Sequence, residues 1–250
     1  MALESALHDL RGSGRTVQPS AAERPSELAD RARREHGLLI RWARREERLL
    51  DGIQWRARVT GGGAEHNVFF DDATQRYFKL TIGGGLTIGS DYRIGKRSQR
   101  WLTLPFVREA TPREYLERLA LFNQVFGDDL RLEGVIADAE PPCVVTSQPV
   151  IHGRETTAAE IAHFLTRLEF QPVPGVVAGR HDSVSFYRPD DRVAVFDAHG
   201  ENFLTDHGHV APIDAFIIRV EGDLHAFLTL DPRERDAEIG RWVSSMPVIR

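Results

Sequence analysis

Between residues 193 and 214 the chain runs through three short apolar stretches, each cut off by a polar residue or insert. Val193-Ala194-Val195-Phe196 stops at Asp197-Ala198-His199-Gly200-Glu201-Asn202, and Phe203-Leu204-Thr205 stops at Asp206-His207-Gly208. Val210-Ala211-Pro212-Ile213 then runs into Asp214. Apolar runs of this length bounded by turn residues predict strands, here at 193–196, 202–205 and 209–213, with the second pair closed as a hairpin over Asp206-His207-Gly208. Such a pattern puts Asp197, Asn202 and Asp214 at strand ends, where side chains are free for chemistry.

Upstream, residues 11–26 combine Gly, Ser, Pro and charge with almost no large apolar side chain, so they cannot offset the entropy of ordering and are expected to be flexible. From Ser26 to Leu50 the apolar residues Leu38, Leu39, Trp42, Leu49 and Leu50 recur at helical spacing. The interleaved Glu35, Glu46 and Glu47 make the Arg-rich run 31–48 a solvated amphipathic face in preference to a nucleic-acid arm. Trp55, Ala57 and Val59 alternate with polar residues and predict a strand, followed by Gly61-Gly62-Gly63, a strand at 68–70, a turn at Asp71-Asp72 and a strand at 77–80. A second glycine patch, Gly83-Gly84-Gly85 with Gly89, leads into a basic loop.

Thr111-Pro112-Arg113-Glu114 supplies a cap, a first-turn proline and a capping-box acid, predicting a helix over 112–126 with Tyr115, Leu116, Leu119, Phe122 and Val125 on its apolar face. Strands are expected at 131–135 and 143–150. Thr157 and Glu160 open a second capped helix that ends before Pro172, and Asp231 caps a last one over 232–243.

The chain has 250 residues, 32 basic against 37 acidic, and 41% hydrophobic content. That composition suits a globular protein with a real core and gives no global basic field for nucleic acid. One cysteine, Cys143, excludes an internal disulfide and a cysteine-based zinc cluster, and its apolar neighbours predict a buried thiol. Glu4, His8 and Asp9 interrupt any apolar signal-peptide core, and no stretch approaches the roughly 20 apolar residues of a membrane span. The expectation is a cytoplasmic protein with no membrane partner.

Asp197 and Asn202 stand five residues apart, and Asp214 follows the next hairpin. Phosphoryl transfer calls for this set: one carboxylate to orient an attacking hydroxyl, and an amide oxygen with a second carboxylate to hold Mg²⁺, a hard cation that prefers oxygen. Asp214 lies in Ile213-Asp214-Ala215-Phe216-Ile217-Ile218, an apolar setting in which a carboxylate needs a partner. Gly61, Gly62 and Gly63 would let backbone N–H groups approach phosphates. Lys79, 16 residues after Gly63, is expected to pair with a nucleotide phosphate and with Glu117 on the following helix, since Glu114 serves the capping box. The nucleobase is expected along the strand ending Thr146-Ser147-Gln148-Pro149, with Thr146 and Gln148 among the binding residues.

From Gly61 to Phe216 the chain resembles the polyvalent-protein kinase domains, Ser/Thr/Tyr-type kinases of multi-domain proteins in phages and conjugative elements. The matching residues are Gly62-Gly63-x-Glu65-His66-x-Val68, Phe78-Lys79, Thr146-Ser147-Gln148-Pro149, Asp197 through Asn202, and Ile213-Asp214. The resemblance implies an α+β, divergent protein-kinase-like bilobal fold: an N-terminal antiparallel sheet plus helix, and a reduced helical C-terminal lobe. The implied layout is a flexible segment at 1–25, a helix at 26–52, an N-lobe at 53–150 and a C-lobe at 151–250. It implies ATP and Mg²⁺ as cofactors, with Asp197, Lys79, Asn202 and Asp214 catalytic, and a setting in mobile elements. Val195-Phe196 replaces the His-Arg lead-in of protein kinases, Ala215-Phe216 replaces Phe-Gly, and 36 residues follow Asp214, too few for a full regulated lobe.

The expected activity is transfer of the γ-phosphate of ATP to a hydroxyl of a protein or a small molecule. The alternatives are a pseudokinase that binds ATP as an interaction module, and a nucleotidyl transferase on the same fold. His66, His199 and His207 match no helical metal motif and are expected to be solvated turn residues, and the contiguous His181-Asp182-Ser183 is not expected to form a triad.

Overall fold

The computed structural model describes residues 2–12, 25–94 and 101–245. It is an α+β protein with antiparallel sheets and several helices, compatible with a kinase-like fold, and it divides into two compact units. One is Met1–Thr87 with Arg108–Ile151; the other is Ile88–Val107 with His152–Arg250. No described helix is long and apolar enough to cross a membrane.

The first unit opens with α1 (Ala2–Arg11) and α2 (Pro25–Arg45). Leu3, Leu7 and Leu10 recur at helical spacing and are buried, so α1 is a packed helix where a flexible segment was expected over 1–25; residues 13–24 of that segment lie outside the described residues. Leu39, Trp42 and Ala43 bury the inner face of α2, and Trp42 Nε1 donates to Ser5 Oγ across 3.2 Å. Glu35, expected on a solvated face, is buried, and its carboxylate accepts the Arg113 N–H at 3.0 Å.

Residues around Trp55 are helical, as α3 (Gly52–Arg56), where a strand was expected. Asp51 caps this turn by accepting from the Ile53 and Gln54 N–H groups, and Trp55 leans on Phe69 and Phe78 with ring centroids 5.8 and 5.5 Å away. The cap satisfies backbone donors that the apparent alternation could not foresee.

Next come β1 (Gly61–Gly62), β2 (His66–Asp71), β3 (Arg76–Thr81), β4 (Leu86–Ile94), β5 (Trp101–Glu109), α4 (Pro112–Phe126), β6 (Arg131–Ile136) and β7 (Cys143–Pro149). Strands β1, β2, β3, β7 and β6, in that order, make a five-stranded antiparallel sheet. One face of the sheet buries Phe69, Phe78, Leu80, Ile136, Cys143 and Val145, with Leu50, Trp55 and Val59 packed on them. Helix α4 has the expected capping box between Thr111 and Glu114, and α1 packs on α2, α4 and β6. Strands β4 and β5 form a two-stranded sheet where only a glycine patch and basic loop were foreseen; 95–100 lie outside the described residues.

The second unit continues with β8 (Arg154–Glu155), α5 (Ala158–Arg167), β9 (Gln171–Pro172), β10 (Val184–Arg188), β11 (Val193–Ala198), β12 (Phe203–Asp206), β13 (His209–Pro212), β14 (Phe216–Arg219), α6 (Gly222–Leu228) and α7 (Pro232–Ser245). A four-stranded sheet runs β14-β11-β10-β9 and a three-stranded one β13-β12-β8. The unit's core includes Val193–Phe196, Phe186, Ile217 and Phe203. The Asp206–His209 hairpin forms as expected, with His207 and Gly208 both at positive φ, the conformation of a type I′ turn. The capping box of Thr157 and Glu160 starts α5, and Arg154 clamps the same carboxylate, which holds its pKa down at about 2.

Candidate active site

Strand β11 reaches its loop through a bulge. Val184 pairs with Ala198 and Phe186 with Val195, so Phe196 and Asp197 together oppose Ser185. Bulges of this kind re-aim a side chain, and Asp197 sits in one at φ +58, an uncommon conformation for any residue but glycine. The neighbouring Val195 and Phe196 stay paired with Ile217 and Phe216 of β14, so the distortion is local to one side of the strand.

A 3₁₀ turn, Gly200–Asn202, carries the chain back toward Asp197. Asn202 Nδ2 donates to the Asp197 main-chain carbonyl at 2.9 Å and to Asp197 Oδ2 at 3.1 Å. Its own carbonyl accepts the N–H of Ile213 at 2.8 Å and of Asp214 at 3.4 Å. A single asparagine thus ties Asp197 on one side and the backbone of Asp214 on the other. Asn202 Oδ1 makes no hydrogen bond to a described residue and is left as an acceptor. Asp197 is largely buried, whereas Asp214 is exposed, in the turn between β13 and β14. The expected apolar burial of Asp214 is therefore corrected: the sheet resumes only at Phe216, and the turn keeps the carboxylate at the surface.

In the first unit, Gly61 pairs with Val68, Val68 with Lys79, Lys79 with Thr146 and Thr146 with Leu132. Directly paired residues share a face of a sheet, so Gly61, Lys79 and Thr146 lie along one rung, with Gln148 two residues beyond Thr146 on the same face. Gly61, Gly62 and Gly63 are exposed at the β1–β2 turn. A Cβ on Gly62 would come within 2.9 Å of the His66 carbonyl, which explains the glycine there. Lys79 is half-buried. Thr146 is fully buried with its Oγ1 unpartnered, and Gln148 Nε2 donates to Asp128.

Glu117, expected to meet Lys79, has its carboxylate engaged by Arg113 at 3.0 Å and Arg11 at 3.3 Å. An arginine one helical turn away is the nearer partner on a helix surface. Besides Glu35, the acid buried against α4 is Glu65, at the end of the glycine turn. Glu65 Oε1 accepts Arg118 of α4 at 2.5 Å and the Leu86 N–H at 2.7 Å. Next to it His66 Nε2 meets the Tyr115 hydroxyl at 2.9 Å. Sequence reasoning quoted Glu65 and His66 only as part of a motif and missed Arg118, whose place on the apolar face of α4 was the available signal.

Of the histidines expected to be solvated, His207 is, at 94% exposure; His66 is buried and His199 half-buried. Asp182 pairs with Arg180 and Ser183 Oγ donates to the Arg180 carbonyl, so His181-Asp182-Ser183 forms no triad.

No curated protein and no solved structure matches the chain. A family model does match, over residues 105–221, leaving Gly61–Gly63, Glu65 and Lys79 outside it and taking in the whole Asp197–Asn202–Asp214 arrangement. That segment matches the model of the Serine/Threonine/Tyrosine Kinase family found in polyvalent proteins, which supports a kinase domain of that family.

Proposed function

We propose that the chain is an ATP- and Mg²⁺-dependent phosphotransferase that moves the γ-phosphate to a hydroxyl of a protein or small molecule. The observation that carries this is the double hold of Asn202, which gathers Asp197 and Asp214 around one turn of the second unit. Asp197 orients the acceptor hydroxyl and takes its proton as the new O–P bond forms and the bond from the γ-phosphorus to the β–γ bridging oxygen breaks, releasing ADP.

The donor set fits a magnesium ion. Asn202 Oδ1 is an uncommitted acceptor and Asp214 an exposed carboxylate, both hard oxygen ligands of the kind that leaves room for water and phosphate. Bound there, Mg²⁺ would neutralise charge on the transferring group. In the first unit the exposed Gly61 and Gly62 would let a phosphate approach the main chain, while the Gly63 N–H is held by the His66 carbonyl, and Lys79, on the same face of the sheet as Gly61, adds a positive charge. Thr146 and Gln148 mark the strand along which the adenine would lie. A cytoplasmic protein of a mobile element, acting as one module of a polyvalent chain, is the setting proposed with it.

The test is Mg²⁺-dependent ATP binding and γ-labelled phosphate transfer by the wild type, Lys79→Ala, Asp197→Ala and Asp214→Ala. Turnover is expected to fall about a thousandfold in Asp197→Ala with nucleotide still bound, and binding to weaken in the other two. Unchanged binding in both Lys79→Ala and Asp214→Ala would overturn the proposal. ATP binding without transfer to any acceptor would make the chain an interaction module, and transfer of α-label alone a nucleotidyl transferase.

A further inference from the structure

The geometry points to a main-chain clamp on Asp197, built by Gly179 and Arg180 in the loop between β9 and β10, which makes these two the positioning residues of the phosphotransfer proposed above. The inference rests on that reading, since it needs Asp197 to act on the acceptor.

The Arg180 N–H donates to Asp197 Oδ1 at 2.7 Å, while Asn202 Nδ2 holds Oδ2 at 3.1 Å. Each carboxylate oxygen is therefore fixed by a separate donor, and the plane of the group is set. The approach is possible only at a glycine. Gly179 has φ +102, and a Cβ there would stand 2.5 Å from Asp197 Cγ and 2.8 Å from Asp197 Cβ, closer than such atoms ever come.

The loop carrying the clamp is braced. The Ser183 N–H and Oγ both donate to the Arg180 carbonyl, at 3.0 and 2.6 Å. The Arg180 guanidinium spans Asp182 at 2.6 Å and Glu201 at 2.5 Å, and Glu201 belongs to the 3₁₀ turn between Asp197 and Asn202. Arg180 thus straps the loop to both ends of the site. A chain with Val195-Phe196 in place of the kinase His-Arg lead-in lacks that pair of side chains, and beside Asn202 the clamp adds support from a segment 17 residues earlier.

Gly179→Ala is expected to lower ATP turnover about a hundredfold while leaving the dissociation constant for Mg²⁺-ATP within about twofold, because misplacing a catalytic group by an ångström costs rate and spares binding. Gly175→Ala controls for loop strain: Gly175 also has positive φ, +77, but its Cβ would approach Asp236 and no atom of Asp197. It should keep wild-type turnover. Independently of activity, the Arg180 amide should exchange with deuterium slowly in the wild type and at least tenfold faster in Asp197→Ala. That readout decides the matter when Gly179→Ala does not fold or the wild type turns over no ATP. A folded Gly179→Ala with turnover within twofold of wild type, or an Arg180 amide that exchanges equally fast in both proteins, would overturn the clamp. Wild-type turnover in Asp197→Ala would fail the phosphotransfer reading, whereas its loss there beside an unaffected Gly179→Ala would fail the clamp alone.

Discussion

The glycine turn in the first unit and the Asp197–Asn202 loop in the second are held in place by opposite means. The turn ends on a buried ion pair between side chains, Glu65 with Arg118, drawn from positions 53 residues apart. The Asp197 carboxylate in the loop is held by a main-chain donor and one asparagine, with Asp214 at the surface. A buried pair sets its charges against each other, Glu65 Oε1 against the Arg118 guanidinium. A backbone N–H and a side-chain amide fix the Asp197 carboxylate by hydrogen bonds alone, with no arginine among the described residues set against its charge.

The strongest way to break this contrast is Arg118→Ala, which strands the Glu65 carboxylate in the interior. A loss of about 3–5 kcal/mol in urea unfolding is expected, and a loss below about 1 kcal/mol would show that Glu65 is not held mainly by this pair. Asn202→Ala sharpens it from the other side. Its stability cost should be about 1 kcal/mol, the net worth of an ordinary hydrogen bond, while phosphate transfer is abolished.

Smaller effects compare the two capping boxes. Thr111 is buried and Thr156, just before the second box, is too, but the Thr157 box itself is exposed. Thr111→Ala should cost about 1–2 kcal/mol and Thr157→Ala about 0.5–1 kcal/mol, measured by chemical unfolding.

The smallest expected effects are in pH dependence, where two glutamates act with opposite sign. Burial raises the Glu35 carboxyl above its ordinary value of 4.5, only partly offset by hydrogen bonds from Thr111 and the Arg113 N–H. The folded state holds that proton more tightly than the unfolded one, so stability is greatest below the ordinary value and is lost as pH rises through the folded one. Arg154 and the Thr157 cap depress Glu160 to about 2, so its contribution is present above the ordinary carboxylate value and lost as pH falls toward about 2. Unfolding curves between about pH 4 and about pH 7 should show Glu35→Gln gaining on the wild type as pH rises, and a Glu160→Gln variant losing ground over the same range.

Much of this was legible because it is local. The boxes at Thr111 and Thr157 appear in full, since a cap and its partner stand three residues apart and the backbone alone brings them together. Asp197 and Asn202 are likewise within one turn of each other. Trp55 was misread because an alternation over five residues fits a strand as well as a turn of helix, and the deciding groups were the Asp51 cap and two phenylalanines on other strands. Lys79 and Glu117 were joined by their order in the chain, but order does not tell which face of α4 an acid occupies.

By itself the sequence determined the capped helices, the hairpin at His207-Gly208 and the spacing that sets an aspartate, an asparagine and a second aspartate around one loop. Tertiary structure decided that Glu65 meets Arg118, that Gly61, Lys79 and Thr146 share a rung, and that Gly179 leaves room for the Asp197 carboxylate. The physical reason is range. Backbone geometry fixes neighbours within a turn, whereas a contact across many residues depends on which surfaces the whole core brings together, and no local pattern encodes that choice.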